Sequence, residues 1–76
     1  MSCEEIALKI KEKRNNAGLS QSGLASLIGV SEQTVYYWEA GKRKPSLDYI
    51  LRMSYIFCCD VGDLIGGFRN EKRELH

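Results

Sequence analysis

A stretch in the middle of the chain, from residue 21 to residue 40, has small, turn-forming and apolar residues where two short crossing helices need them. Close crossing requires a small residue in the first helix, which Ala25 supplies. The turn requires a residue that tolerates a positive φ, which Gly29 supplies, and Val30 follows it as an apolar plug. The apolar residues that would face each other across the pair are Leu24, Ile28, Val35 and Trp38.

Length and composition favour one small folded domain. A chain of 76 residues buries only about 60% of the surface that it exposes when unfolded, so its core is thin. With 43% hydrophobic and 28% charged residues, the composition is typical of a globular protein. No apolar run approaches the roughly 18 residues of a membrane span, and the first residues are acidic where a secretory signal is basic. We therefore expect a cytoplasmic protein with no membrane role.

The cysteine pattern favours neither a disulfide framework nor a zinc site. Cys58 and Cys59 are adjacent and Cys3 is remote, so the three cysteines cannot all pair within the chain. Adjacent cysteines also lack the C-x-x-C spacing of zinc ligands. We expect reduced thiols that serve as small apolar side chains, and no metal or cofactor.

The net charge of +1 argues against a strongly basic nucleic-acid-binding domain. The charge is nevertheless unevenly spread, and binding to phosphates depends on local positive charge rather than on the sum. Basic residues cluster at Lys9, Lys11, Lys13 and Arg14, and again at Lys42, Arg43 and Lys44.

Apolar spacing and capping residues predict an all-α fold, a compact domain of five helices over residues 1–67 followed by a polar tail over residues 68–76. The predicted helices are Glu4 to Ala17, Gln21 to Ile28, Glu32 to Glu39, Leu47 to Phe57, and a short one capped by Asp60 that ends at Ile65. The predicted inward-facing residues are Ile6, Ile10, Lys13, Ala17, Leu24, Leu27, Ile28, Val35, Trp38, Leu47, Ile50, Leu51, Ser54, Phe57, Val61 and Leu64.

The third predicted helix has a polar and aromatic outer face. If Val35 and Trp38 point into the core, the outward positions are Ser31 at the helix start, then Glu32, Gln33, Tyr36 and Tyr37. Two adjacent outward tyrosines on a short helix indicate a binding surface rather than a solvated one.

These residues together resemble the Cro and lambda-repressor-like (XRE-type) family of helix-turn-helix DNA-binding domains. The resemblance covers roughly residues 6 to 65 and rests on Arg14, Gly18-Leu19-Ser20-Gln21, Leu24-Ala25, Ile28-Gly29-Val30-Ser31, Val35, Trp38-Glu39, Gly41-Lys42 and Pro45-Ser46-Leu47. It implies five helices around one core, a third helix that enters the major groove, and a symmetric dimer.

The resemblance also implies roles for individual residues. Ser31, Glu32, Gln33, Tyr36 and Tyr37 would contact bases, with Gln33 able to pair with adenine and Glu32 able to accept from cytosine. Ser20, Gln21, Lys42, Arg43 and Lys44 would contact phosphates. Arg14 and Glu39 would form a structural ion pair between the first helix and the end of the third.

The function that follows is a sequence-specific, double-stranded DNA-binding transcriptional regulator, a repressor acting as a homodimer on a palindromic operator. Two alternatives stay open: an antitoxin that binds both DNA and a toxin, and a helical protein-interaction module without DNA binding. An enzyme is not expected, because the only histidine is His76 and no phosphate-cradling glycine loop occurs. No small-molecule ligand is evident.

Three expectations concern the edges of the pattern. The dimer surface is expected in the region of the fourth and fifth helices and the tail, with Phe68 as a candidate. Gly23 replaces a glutamate that often completes a capping box with Ser20, which predicts a weakly held second helix. Cys58 stands where a glycine usually ends the fourth helix, which leaves the geometry of that junction open.

Overall fold

The computed structural model describes residues 3–65, and within that range the chain folds into helices without a strand. The helices are α1 (Cys3–Asn16), α2 (Gln21–Ile28), α3 (Glu32–Glu39), α4 (Leu47–Ile56) and α5 (Val61–Ile65). The prediction of an all-α, five-helix fold is confirmed. The bounds of α2, α3 and α5 match the predicted ones, α1 begins and ends one residue earlier than predicted, and α4 ends one residue earlier.

Serine side chains begin both helices of the central pair. The Ser20 hydroxyl accepts a hydrogen bond from the Gly23 N–H at 2.9 Å, and the Ser31 hydroxyl accepts one from the Thr34 N–H at 3.1 Å. Each bond satisfies one of the backbone donors that a helix leaves free at its first turn. Gly29 ends α2 in the left-handed region with φ 92°, so the chain turns at once into α3.

The core lies between α1, the central helix pair and the two last helices. Trp38 is its largest fully buried side chain, and its ring lies 5.3 Å from that of Tyr49. The buried apolar residues are Ile6, Ala7, Ile10, Leu24, Ala25, Ile28, Val35, Trp38, Ile50, Met53 and Leu64. Leu19, Val30, Phe57, Cys59 and Val61 pack against this cluster from its edge.

Four residues predicted to face the core are exposed, and that part of the prediction is wrong. Leu27, Leu47 and Leu51 are 60%, 63% and 48% exposed, and Ala17 lies in the turn after α1. On α4 the buried face is instead Ile50, Met53 and Ser54. Hydrophobicity alone does not choose between adjacent faces of a short helix, and α4 carries apolar residues on more than one.

Gly23 and Cys58 occupy special positions in the fold. Gly23 provides the capped N–H of α2, and an added Cβ there would lie 3.2 Å from the Ser20 hydroxyl oxygen.

Cys58 adopts φ 57° at the end of α4, where the Cys59 N–H donates to the Ser54 carbonyl at 2.9 Å. This is the Schellman arrangement, which favours glycine at its left-handed residue. Gly18 and Gly41 hold the corresponding positions after α1 and α3.

Replacement of Cys58 by glycine is expected to stabilise the domain. A left-handed side-chain-bearing residue costs about 1–2 kcal/mol, and the extra freedom of glycine in the unfolded chain takes back part of the gain. We expect the free energy of unfolding to rise by about 0.5–1 kcal/mol in urea titrations. The control is Ser26→Gly, at an exposed position inside α2, which should lower stability by about 0.5 kcal/mol. Equal destabilisation by both changes would contradict the strain at Cys58.

Candidate nucleic-acid interface

The outer face of α3 is fixed by two buried side chains. Val35 and Trp38 are almost fully buried and hold the helix against the core. The residues predicted to face outward are exposed at Ser31, Glu32, Gln33 and Tyr36, while Tyr37 is half-buried. This places a row of hydrogen-bonding and aromatic groups along one exposed side of a helix of 8 residues.

Three of the outward side chains contact one another. The Gln33 amide Nε2 donates to the Tyr37 hydroxyl at 2.8 Å, one helical turn away. The Tyr36 and Tyr37 rings lie 5.9 Å apart and are tilted at 52°. The guanidinium carbon of Arg43 lies 5.7 Å from the centre of the Tyr37 ring, within cation–π range. Tyr37 is therefore the centre of a small cluster that sequence reasoning did not connect.

The two serines assigned to DNA contacts serve as helix caps in this structure. Besides accepting the Thr34 N–H, the Ser31 hydroxyl lies 2.9 Å from the Thr34 hydroxyl oxygen. Ser20 caps the Gly23 N–H in the same way. A serine hydroxyl that accepts a cap bond still has its own hydrogen to donate, so a contact to a phosphate or base acceptor is compatible with capping.

Arg14 and Glu39 form a buried, two-point ion pair. The Arg14 Nε lies 2.6 Å from Glu39 Oε2, Nη2 lies 3.0 Å from Glu39 Oε1, and the two side chains are 11% and 3% exposed. Arg14 Nη1 also donates to the Leu19 carbonyl at 2.8 Å. The hydrogen bond to Glu39 raises the pKa of Arg14 although burial acts against it. The pair joins the end of α1 to the end of α3.

Gln21 takes part in the same network. Its amide Nε2 donates to Glu39 Oε1 at 3.1 Å, so the first residue of α2 is tied to the last residue of α3. The sequence suggested a phosphate contact for this side chain and gave no sign of the bond to Glu39. Gln21 also borders a shallow depression with Glu32, Gln33 and Tyr36, so the start of α2 lies beside the outer face of α3.

The basic loop follows α3 directly. Lys42, Arg43 and Lys44 are all exposed. The backbone N–H groups of Lys42 and Arg43 donate to the Tyr37 carbonyl at 3.0 and 3.3 Å, which sets the position of the loop relative to the helix. Positive charge therefore lies at the C-terminal end of the exposed α3 face.

Other parts of the described chain carry little evident chemistry. Within residues 3–65, no group of three potential metal-ligating side chains comes together, and the three cysteines are free thiols. Burial raises the pKa of the Cys59 thiol, against the opposing charge of Lys13. No described helix is long and apolar enough to cross a bilayer. Phe68 and the tail over residues 68–76 lie outside the described residues.

Comparison with known proteins places the chain in a family. A family model described as Helix-turn-helix matches residues 10–57. The chain belongs to the helix-turn-helix family of the Cro and lambda-repressor-like type, as its residues predicted.

Its relatives include short and long proteins. A protein of Archaeoglobus fulgidus named as an HTH-type transcriptional regulator is 34% identical over 56 residues, which cover 74% of this chain and 80% of the relative. An HTH-type transcriptional regulatory protein of Methanococcoides burtonii is 33% identical over 87% of this chain, which spans 20% of that relative. A similar relative in Sulfurisphaera tokodaii is 29% identical, and the chain spans 24% of it.

A solved structure shares the fold. Hydroxypropylphosphonic acid epoxidase from S. wedmorenis superposes with a TM-score of 0.76 at 26% identity, over 83% of this chain and 34% of the epoxidase chain. The similar region is about a third of the epoxidase chain, so the epoxidase activity is not attributed to the present chain.

The ion pair is expected to contribute strongly to stability. Glu39→Gln leaves Arg14 buried without an opposite charge, which should lower the free energy of unfolding by about 3 kcal/mol. Urea denaturation followed by circular dichroism measures the loss. Glu32→Gln removes the same charge from an exposed position on the same helix and should change stability by less than about 0.5 kcal/mol. Similar losses in the two variants would refute a special role for Glu39.

Proposed function

We propose that this chain binds double-stranded DNA in a sequence-specific way, with α3 in the major groove, and regulates transcription as a repressor. The observation that carries the proposal is the exposed face of α3, which displays Glu32, Gln33, Tyr36 and Tyr37 beside a basic loop. A major groove about 12 Å wide admits one α-helix, and polar side chains on that helix can reach the base edges. The regulator names of the relatives support the same function.

Base recognition is assigned to the outer face of α3. We place Gln33 at the centre, because its amide can accept from and donate to an adenine at once. Tyr37 and Tyr36 can touch a thymine methyl group or donate from their hydroxyls. Glu32 can accept from a cytosine amino group, and it also disfavours nearby phosphates. Ser31, at the N-terminus of α3, completes the set.

Phosphate contacts are assigned to the two ends of the motif. Ser20 and Gln21 lie at the start of α2, where free backbone N–H groups and the helix dipole favour an anion. Lys42, Arg43 and Lys44 lie beyond the end of α3 and would hold the backbone on its other side. Such contacts fix the register of the helix in the groove without reading sequence.

A homodimer is part of the proposal, and within residues 3–65 an apolar groove between α2 and α4 supports it, in place of the region of α4, α5 and the tail that the sequence led us to expect. Leu27, Leu51 and Tyr55, the last 86% exposed, line an open groove between α2 and α4 together with Arg52 and Ile56. Grouped exposed apolar side chains of this kind mark interaction sites. A second copy seated on this surface would present two α3 helices to half-sites about 34 Å apart in a palindromic operator.

The remaining assignments follow from the role. A repressor of this kind acts by occupying its operator, so we propose no catalytic step, no cofactor and no small-molecule ligand. We also propose a cytoplasmic location, which the sequence led us to expect.

Selection of bound sites from random DNA tests the proposal directly. We expect a palindromic motif. Gln33→Ala should cost roughly 1–3 kcal/mol of binding free energy at one base pair, and Lys42→Ala should weaken binding to all sequences alike.

A salt titration tests the phosphate contacts. If about six phosphates are neutralised per dimer, the logarithm of the binding constant should fall with the logarithm of the salt concentration at a slope near −5. Recovery of no motif, or a slope near zero, would contradict DNA recognition by α3.

The dimer surface is tested by a charge placed on it. Leu51→Glu should shift the chain toward monomer in sedimentation equilibrium, because an unpaired carboxylate is costly to bury in an apolar contact. Leu8→Glu is the matched control, since Leu8 is 57% exposed on α1 and outside the groove. A monomeric wild-type chain at high concentration that still bound a palindrome tightly would argue against a preformed dimer.

A further inference from the structure

We propose that Tyr37 determines the DNA specificity of α3 as a positioning residue, by orienting the Gln33 amide with its hydroxyl and the Arg43 guanidinium with its ring. The inference rests on the proposed function, since it concerns how the same helix face reads DNA. Its basis is the Gln33–Tyr37 hydrogen bond of 2.8 Å and the Arg43 guanidinium 5.7 Å from the Tyr37 ring centre.

The hydroxyl of Tyr37 gives the Gln33 amide one orientation. Nε2 donates to Tyr37 Oη, which directs the carbonyl oxygen Oε1 and the second Nε2 hydrogen away from the tyrosine. Those two groups, one acceptor and one donor, match the N6 amino group and N7 of an adenine in the major groove. The bond therefore selects the orientation that an adenine requires.

The same bond completes the hydrogen bonding of the amide at the interface. A glutamine paired with adenine uses its oxygen and one amide hydrogen, and water is displaced when the helix enters the groove. The other amide hydrogen would then be left without an acceptor, which is unfavourable in a desolvated contact. Tyr37 Oη accepts it and still has its own hydrogen to donate to DNA.

The aromatic ring of Tyr37 restrains the guanidinium group of Arg43. Arg43 is exposed in the loop after α3, where a long side chain is free to move unless something restrains it. Its guanidinium lies over the Tyr37 ring, and Arg43, Lys42 and Tyr37 border a shared depression. The ring thus directs one basic side chain toward the proposed DNA-facing side of α3, where it would contact phosphate.

Removal of the hydroxyl alone separates the two roles. Tyr37→Phe keeps the ring under Arg43 and deletes the acceptor for Gln33. We expect the preference for adenine at the base pair read by Gln33 to fall roughly five- to tenfold, while the salt slope of binding stays near that of the wild type because no ionic contact is lost. The measurement is competitive binding to the selected operator and to operators changed at that one base pair.

A double-mutant cycle shows whether Tyr37 acts through Gln33. In a Gln33→Ala background, Tyr37→Phe should cause no further loss of preference at that base pair, because the group it orients is gone. Tyr36→Phe is the matched control, because it removes a hydroxyl from the adjacent ring, which does not accept the Gln33 amide hydrogen. Its fold-loss of base preference should therefore be independent of Gln33, so the double variant should lose the product of the two single losses. Multiplicative losses for Tyr37→Phe as well would overturn the proposal.

The ring contact is tested by Tyr37→Leu. This change removes both roles, so it should lower affinity for all DNA sequences roughly threefold more than Tyr37→Phe does, by freeing Arg43. In an Arg43→Ala background the difference between the Leu and Phe variants should disappear. Its persistence there would contradict positioning of Arg43 by the ring.

A measurement without DNA distinguishes failure of this inference from failure of the proposed function. In the free chain, Tyr37→Phe should move the side-chain amide resonances of Gln33, and Tyr36→Phe should move them much less. Equal shifts in both variants would overturn the positioning role even if the wild type selects an operator. If the resonance shift is present but no operator is selected, the DNA function is overturned, and only the Gln33–Tyr37 hydrogen bond is confirmed.

Discussion

The contact between Arg14 and Glu39 fixes the geometry on which the rest of the domain depends. The carboxylate of Glu39 accepts from Arg14 on α1 and from Gln21 at the start of α2, so one side chain on α3 joins three helices. Because the pair is buried, each charge is unfavourable without the other. A placement of α3 that separated Glu39 from Arg14 would leave a buried charge without a partner. Apolar packing supplies most of the stabilisation, and this polar contact sets the register of the helices.

The exposed face of α3 is a consequence of that fixed register. Trp38 and Val35 fill the core from one side of the helix, which leaves the opposite side to polar groups that have no part in packing. Side chains on a rigid helix are held more closely than those on a loop, and here Gln33 and Tyr37 also hold each other. In the proposed function, recognition and stability thus occupy opposite sides of a single helix.

Much of this arrangement is readable from the sequence, and the failures have physical causes. Gly29 and the capping serines locate the central pair to the residue, because few residue types satisfy those positions. Leu51 was misplaced because a helix with apolar residues on two faces does not show which one is buried. The Gln33–Tyr37 bond has the i, i+4 spacing that could have revealed it, whereas the bond from Gln21 to Glu39 depends on tertiary contact alone.

The Tyr37 carbonyl, which accepts from the backbone of both Lys42 and Arg43, has a thermodynamic consequence for association. The basic loop is attached to the last turn of α3 before any ligand arrives, so α3 and its adjacent positive charge move as one body. Little backbone freedom in this segment is then left to lose when a complex forms, and the entropic cost of binding falls mainly on the long lysine and arginine side chains. In the proposed DNA complex, such preorganisation would favour binding by a chain of near-neutral net charge through few ionic contacts.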